Sequence, residues 1–201
     1  MGRSQATFTG TAGVYYVMYH LTRLGIHASV THGNAPAVDI LAAAANGAET
    51  LAIQVKTAVY ATRERGRGTE KTPYQLQFPL GAHSAALASE RLIFAFVDLY
   101  PFDRSRPPEV LPTPDCYVVP STTVHGHSKG WIDQVPWVRF HQSIEWMAPY
   151  KNNWQPVLEA LATNAATLIP EIDDVEAAPS DGRAETLEVS SRDLNHHSSS
   201  R

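Results

Sequence analysis

The sequence predicts a mixed α/β domain on three observations: an amphipathic helical segment near the start, a strong hairpin signal around residue 46, and two later apolar runs of strand length. From about Thr9 to Leu24, the residues Val14, Val17, Met18, Leu21 and Leu24 recur at helical spacing, and Gly25 stands where a C-terminal cap belongs. Ile26 to Thr31 and Val38 to Ala45 are short apolar runs divided by His32-Gly33-Asn34-Ala35-Pro36, which reads as two strands and a turn. Asn46-Gly47 separates the second run from a third strand, Thr50 to Tyr60. That dipeptide suits a two-residue type I′ turn, whose central positions both need positive φ.

Beyond the hairpin, Ala61 to Thr72 is polar and rich in charge and glycine, so it reads as an exposed loop. His83 to Ser89 has the look of a short helix. Leu92 to Leu99 and Cys116 to Val119 read as apolar runs, the pattern of inner strands covered on both faces, and a proline-rich connection divides them. Trp137 to Phe140 reads as a short strand, and Asn152 to Thr163 shows helical periodicity through Trp154, Val157, Leu158 and Leu161. Ser121-Thr122-Thr123 reads as a helix cap, and His125-Gly126-His127 as a loop, because two histidines without a third ligand are a weak metal signal. The four tryptophans, Trp131, Trp137, Trp146 and Trp154, read as core and lid aromatics.

A chain of 201 residues with 43% hydrophobic content can bury one full core. Past Pro170 the apolar density collapses, which divides the chain into a domain at 1–169 and an acidic tail at 170–201 expected to be disordered. The tail holds eight acids against three arginines. Subtracting them from the totals of 20 and 16 leaves 12 acids and 13 bases, so the net charge of -4 belongs to the tail and the body is close to neutral. A near-neutral body permits nucleic-acid binding through a local basic patch. No apolar run approaches the roughly 20 residues that cross a bilayer, and the start lacks the marks of a signal peptide. With one cysteine, Cys116, and no zinc-type spacing, these features lead to the expectation of a cytoplasmic protein without a membrane partner.

The chemistry gathers at the hairpin. If Asn46-Gly47 makes the tight turn, facing residues sum to 93 and Asp39 lies opposite Gln54. Alternation then puts Lys56 on the same face, diagonal to Asp39. Facing Cβ atoms are about 5 Å apart and diagonal ones roughly 7–8 Å, a span that suits one cation and one phosphate. Alone, Asp39 is an acid at a strand start and Lys56 a solvated strand end; together with Gln54 they form a constellation.

The string Gly10-Thr11-Ala12-Gly13-Val14, with Leu21, Gly25, Val38-Asp39-Ile40-Leu41 and Ile53-Gln54-Val55-Lys56-Thr57, resembles the core of the PD-(D/E)XK, or restriction-endonuclease-like, nuclease superfamily. It is closest to members with glutamine where an acid usually precedes the lysine. The resemblance covers residues 10–60. It implies a central mixed sheet flanked by helices in the order αβββαβ, and a Mg²⁺- or Mn²⁺-dependent endonuclease acting on DNA. By position, Asp39 and Gln54 become the metal ligands and Lys56 the residue that orients the attacking water or steadies charge on the phosphate. Arg63, Arg65, Arg67 and Lys71 follow the site closely and are expected to contact DNA phosphates. The helix glutamate common in the family falls on Val14, which leaves one carboxylate. The alternative is therefore a catalytically degenerate domain that binds nucleic acid or a protein partner. A homodimer is left open.

Overall fold

The structure is a computed structural model that describes residues 3–31, 38–103, 105, 108–132 and 139–161. These belong to the first of two units of the chain, Met1–Ile169. The His32–Pro36 turn, Trp137 and the 170–201 segment lie outside the described residues.

The opening helix, α1 (Arg3–Arg23), begins six residues before the amphipathic pattern does and ends where that pattern predicts. Its end is a Schellman cap: Gly25, at φ 72°, donates to the Thr22 carbonyl and Ile26 donates to that of Leu21. Leu21 and Ile26 are both buried, so the cap also turns the chain into the core. Three strands follow, β1 (His27–Val30), β2 (Ile40–Ala43) and β3 (Thr50–Ala58), joined as an antiparallel meander. The β2–β3 register runs from Ile40 opposite Ile53 to Ala43 opposite Thr50, so facing residues sum to 93 as expected.

The turn itself departs from the expectation. Gly47 donates to the Ala44 carbonyl and has φ 69°, Asn46 keeps a negative φ, and Ala44 donates to Glu49. The loop is therefore four residues, Ala45 to Ala48, with the Asn46 side chain accepting from the Ala48 N–H. Because it is centred on the same peptide bond as a two-residue turn, the register is unchanged.

The polar stretch after β3 is a second correction. Instead of a loop, it contains β4 (Thr62–Arg65), which pairs with β5 (Thr72–Pro79), and β5 pairs in turn with β8 (Arg139–Ser143). Tyr74, Leu76 and Phe78 alternate as a strand should. The flanking Pro73 and Pro79 obscure this, and the structure accommodates Pro73 beside a bulge at Arg63/Glu64. After a short helix, α2 (Ala82–Ala85), come β6 (Leu92–Asp98) and β7 (Asp115–Pro120). The main sheet is mixed, in the order β1-β2-β3-β6-β7, with β6 parallel to β3 and antiparallel to β7.

The expectation of two inner strands holds for β6 alone, since β7 is an edge. It is nevertheless buried, because Asn152 closes that edge by donating to the Cys116 carbonyl and accepting the Cys116 N–H on Oδ1. A third correction concerns the His-Gly-His segment, which lies inside helix α3 (Ser121–Ile132). Two glycines weaken that helix by about 1 kcal/mol each. Burial of Val124 and Ser128, and the exchange of two hydrogen bonds between the Ser121 hydroxyl and the Ser89 backbone, hold it in place. A single-turn helix, α4 (Ile144–Met147), a 3-10 turn (Ala148–Tyr150) and α5 (Gln155–Ala160) complete the described elements.

The main sheet is covered on both faces. α1 and α5 lie on one, against Leu51, Ile53 and Val55 of β3. The β4-β5-β8 sheet and α3 lie on the other, where Phe78, Phe94, Phe96 and Phe140 pack together. Trp146 joins that cluster and Trp154 stacks on His20, as structural aromatics do. No helix among the described residues is long and apolar enough to cross a membrane.

Gly13 sets the distance of α1 from β3. A Cβ there would lie 1.9 Å from Thr57 Oγ1 and 2.9 Å from both Thr57 Cβ and Cγ2, so no Thr57 rotamer admits it; a Cβ on Gly10 meets nothing. Gly13→Ala is expected to destabilise the domain by about 1–3 kcal/mol despite alanine's better helix propensity. Gly10→Ala is expected to be neutral or stabilising by up to about 1 kcal/mol, and thermal unfolding of the two variants side by side checks both.

Candidate functional site

The β2–β3 register ends at Ile40 opposite Ile53, and Asp39 stands just before it. Asp39 donates its N–H to the Ile53 carbonyl at 3.0 Å, and its own carbonyl accepts from Thr31 N–H at 2.9 Å. The backbone of Asp39 is thus gripped from β1 and β3 together, bonded on β3 to the residue before Gln54. Its Oδ2 accepts the Val55 N–H at 2.7 Å, satisfying a donor that β2 is too short to reach. Oδ1 remains for another partner.

Side chains of β3 alternate between the two covered faces. Leu51, Ile53 and Val55 turn to α1, whereas Gln54 and Lys56 turn to the other side, level with Phe94 and Phe96 of β6. Gln54 is 5% exposed, and its Oε1 is buried without a hydrogen-bond partner. An orphaned buried acceptor of this kind costs about 1–3 kcal/mol. Lys56 is half-buried. Its pKa is lowered because burial disfavours the ammonium form, an effect that the nearby Asp39 carboxylate opposes. The ion pairs among the described residues are Arg91–Glu49 and Lys151–Asp115, so Lys56 and Asp39 interact across a gap and not as a contact pair. Gln54 and Lys56 therefore share one face of the main sheet, and the Asp39 carboxylate meets β3 at the Val55 N–H between them.

Val14, by contrast, packs against the α1-side core. A carboxylate at that position would point to the opposite face of the sheet from Lys56.

The four basic residues are exposed on β4 and on the connection to β5. Thr62 and Leu76 face inward, so Arg63, one position on, faces outward, where its Nε donates to Gln77 Oε1 at 2.7 Å. Arg65 lies over the Tyr74 ring at 5.8 Å. Arg67 and Lys71 sit near the end of the same hairpin, so the structure groups the four with one another.

Asp39 Oδ1 and Gln54 Oε1 fit a hard cation by donor type, and the second has no other partner. No group of three or more His, Cys, Asp or Glu side chains that could hold a metal is found among the described residues. A cation here would take most of its remaining ligands from water and a bound phosphate. In α3, His125 turns to the Ala85 carbonyl and His127 to Trp146, so the two do not converge on one ion.

A second polar cluster was not singled out from the sequence. Asp98, 1% exposed, ends β6, and Asp115 faces it at the start of β7. The available signal was an acid closing an otherwise apolar strand.

No family model, curated protein or solved structure matches the chain.

Because the folded pKa of Lys56 is lowered, the unfolded state holds its proton more tightly and the native state is penalised below the ordinary lysine value of about 10.4. Lys56→Met is expected to be at least as stable as the parent at neutral pH. The advantage should shrink as pH rises through the lowered folded pKa toward that value, since the native-state penalty vanishes once both states are neutral. Asp39→Ala, which strands the Val55 N–H, is expected to lose about 1–3 kcal/mol. Denaturant unfolding at several pH values distinguishes these outcomes, and a Lys56→Met variant clearly less stable than the parent would mean that the ammonium is paired.

Proposed function

We propose that the chain is a metal-dependent nuclease that hydrolyses DNA phosphodiester bonds at Asp39, Gln54 and Lys56. The observation that carries this reading is the buried, unpartnered Gln54 Oε1 on the face that also holds a partly dehydrated Lys56, with the Asp39 carboxylate bound to the Val55 N–H between them. Two oxygen donors and one cation at that spacing suit a divalent ion and a phosphate better than they suit a stabilising core. The residue string that resembles the PD-(D/E)XK superfamily, and the αβββ start, support the same reading.

A bound Mg²⁺ or Mn²⁺ supplies Lewis acidity toward the phosphoryl oxygen and lowers the pKa of its water. Asp39 and Gln54 would hold the ion through Oδ1 and Oε1. The Asp39 carboxylate is fixed by the Val55 N–H, so it meets a ligand without reorganising. Lys56, near the strand end, would donate to a non-bridging phosphate oxygen or to the attacking water, in surroundings dry enough to strengthen the interaction. The hairpin arginines and Lys71 would supply phosphate contacts away from the reacting bond.

The second reading, a nuclease-fold protein that binds nucleic acid without cutting it, draws on the near-complete burial of Gln54 and the single carboxylate. Plasmid and single-stranded DNA incubated with Mg²⁺ or Mn²⁺ separate the two. Cleavage that Lys56→Ala lowers by about a hundredfold or more is the expected outcome. Equal cutting by both proteins removes the catalytic assignment. Salt-sensitive DNA retention with no cutting, and no calorimetric heat of Mn²⁺ binding that Asp39→Asn abolishes, selects the binding reading.

A further inference from the structure

The carboxyl ends of the parallel strands β3 and β6 open onto two neighbouring cavities that the nuclease reading does not use. Ligands in open α/β sheets commonly sit at such strand ends. The larger, about 770 Å³, is walled mainly by apolar and aromatic groups, among them Phe8, Tyr16, Leu99, Phe102 and Leu111. The smaller, about 570 Å³, is lined by Asp98, Asp115, Glu64, Tyr117 and Lys151 among others. Val59, Tyr60 and Tyr100 belong to both and form their common wall.

The polar chamber has an unbalanced charge. Lys151 is the one cation among its lining residues and is engaged by Asp115 at 2.8 Å. Asp98 and Glu64 then have no cationic partner in that wall. Asp98 is oriented by Tyr100 N–H at 3.2 Å and by the Thr62 hydroxyl at 3.3 Å. Its pKa is raised, because burial outweighs those hydrogen bonds, as expected of a carboxyl lacking a counter-charge. The dividing wall is itself constrained: Tyr100 has φ 55°, a conformation rare for a tyrosine, and is tied by its hydroxyl to Asp115 as well as by its N–H to Asp98. Tyr60 is 60% exposed beside it.

We propose that these paired cavities bind a small organic cation with an aromatic or apolar body, its protonated amine entering between Asp98 and Glu64 and its body lying against the Tyr60–Tyr100 wall. The carboxylates supply the counter-charge, the tyrosine faces add cation–π attraction, and the larger chamber buries the apolar part. This site shares no residue with Asp39, Gln54 and Lys56, and its test has no cleavage readout.

Three probes with one indole body separate the terms: tryptamine, neutral tryptophol and anionic indole-3-propionate, titrated into the full chain by calorimetry and by backbone amide chemical shifts. Tryptamine is expected to bind at least tenfold more tightly than tryptophol, with indole-3-propionate weakest and shifts concentrated at Glu64, Asp98 and Tyr100. Asp98→Asn and Glu64→Gln should each weaken tryptamine at least fivefold while leaving tryptophol unchanged. Glu64 is exposed, so its variant remains informative should Asp98→Asn fold poorly. Equal affinity for the three probes, shifts centred away from these residues, or full tryptamine affinity in Glu64→Gln would overturn the proposal.

Discussion

The register of β2 against β3 is the constraint on which the candidate site depends. Side chains alternate along a strand, so a slip of one residue would turn Asp39 away from Gln54 and Lys56. The same slip would move Ile40 and Ala42, or Leu51 and Ile53, out of the core that they fill beneath α1. The polar arrangement is therefore locked by apolar burial on the opposite face. At roughly 25 cal/mol per Å² of buried apolar surface, those residues decide the register far more firmly than any interaction among the polar three.

The two faces of the main sheet serve different ends. Beneath α1 the contacts are aliphatic and close, with Gly13 allowing the helix to approach Thr57. The other face is aromatic, and the β4-β5-β8 sheet covers it through Phe78 and Phe140. That cover stops at the rims, where polar groups collect. One group forms at Asp39, whose carboxylate takes the Val55 N–H that β2 is too short to reach. Another forms where β6 ends, and there Asp98 accepts the Tyr100 N–H two residues on, beside Asp115 and Lys151.

For the proposed chemistry the consequence is a lean site. One carboxylate, one amide oxygen and one ammonium must do what families with more acids share among several groups. Partial burial compensates in part, since Asp39 is held by the Val55 N–H and the lowered local dielectric strengthens the pull on a charged ligand.

What the sequence by itself determined is what short-range physics decides: the helix and its glycine cap, the meander, the sum-to-93 pairing of β2 with β3, and the common face of Gln54 and Lys56. Periodicity and turn chemistry act over a few residues, so they are written locally. Burial and pairing partners are not. Only the tertiary structure decided that the polar stretch after β3 is a strand pair, that two glycines sit inside α3, and that β7 is a closed edge. The Asp98 cluster is the plainest case: its members come from four separate segments, and only the folding of β6 against β7 brings them together. Each of these outcomes rests on packing between segments distant in the chain, which no local propensity encodes.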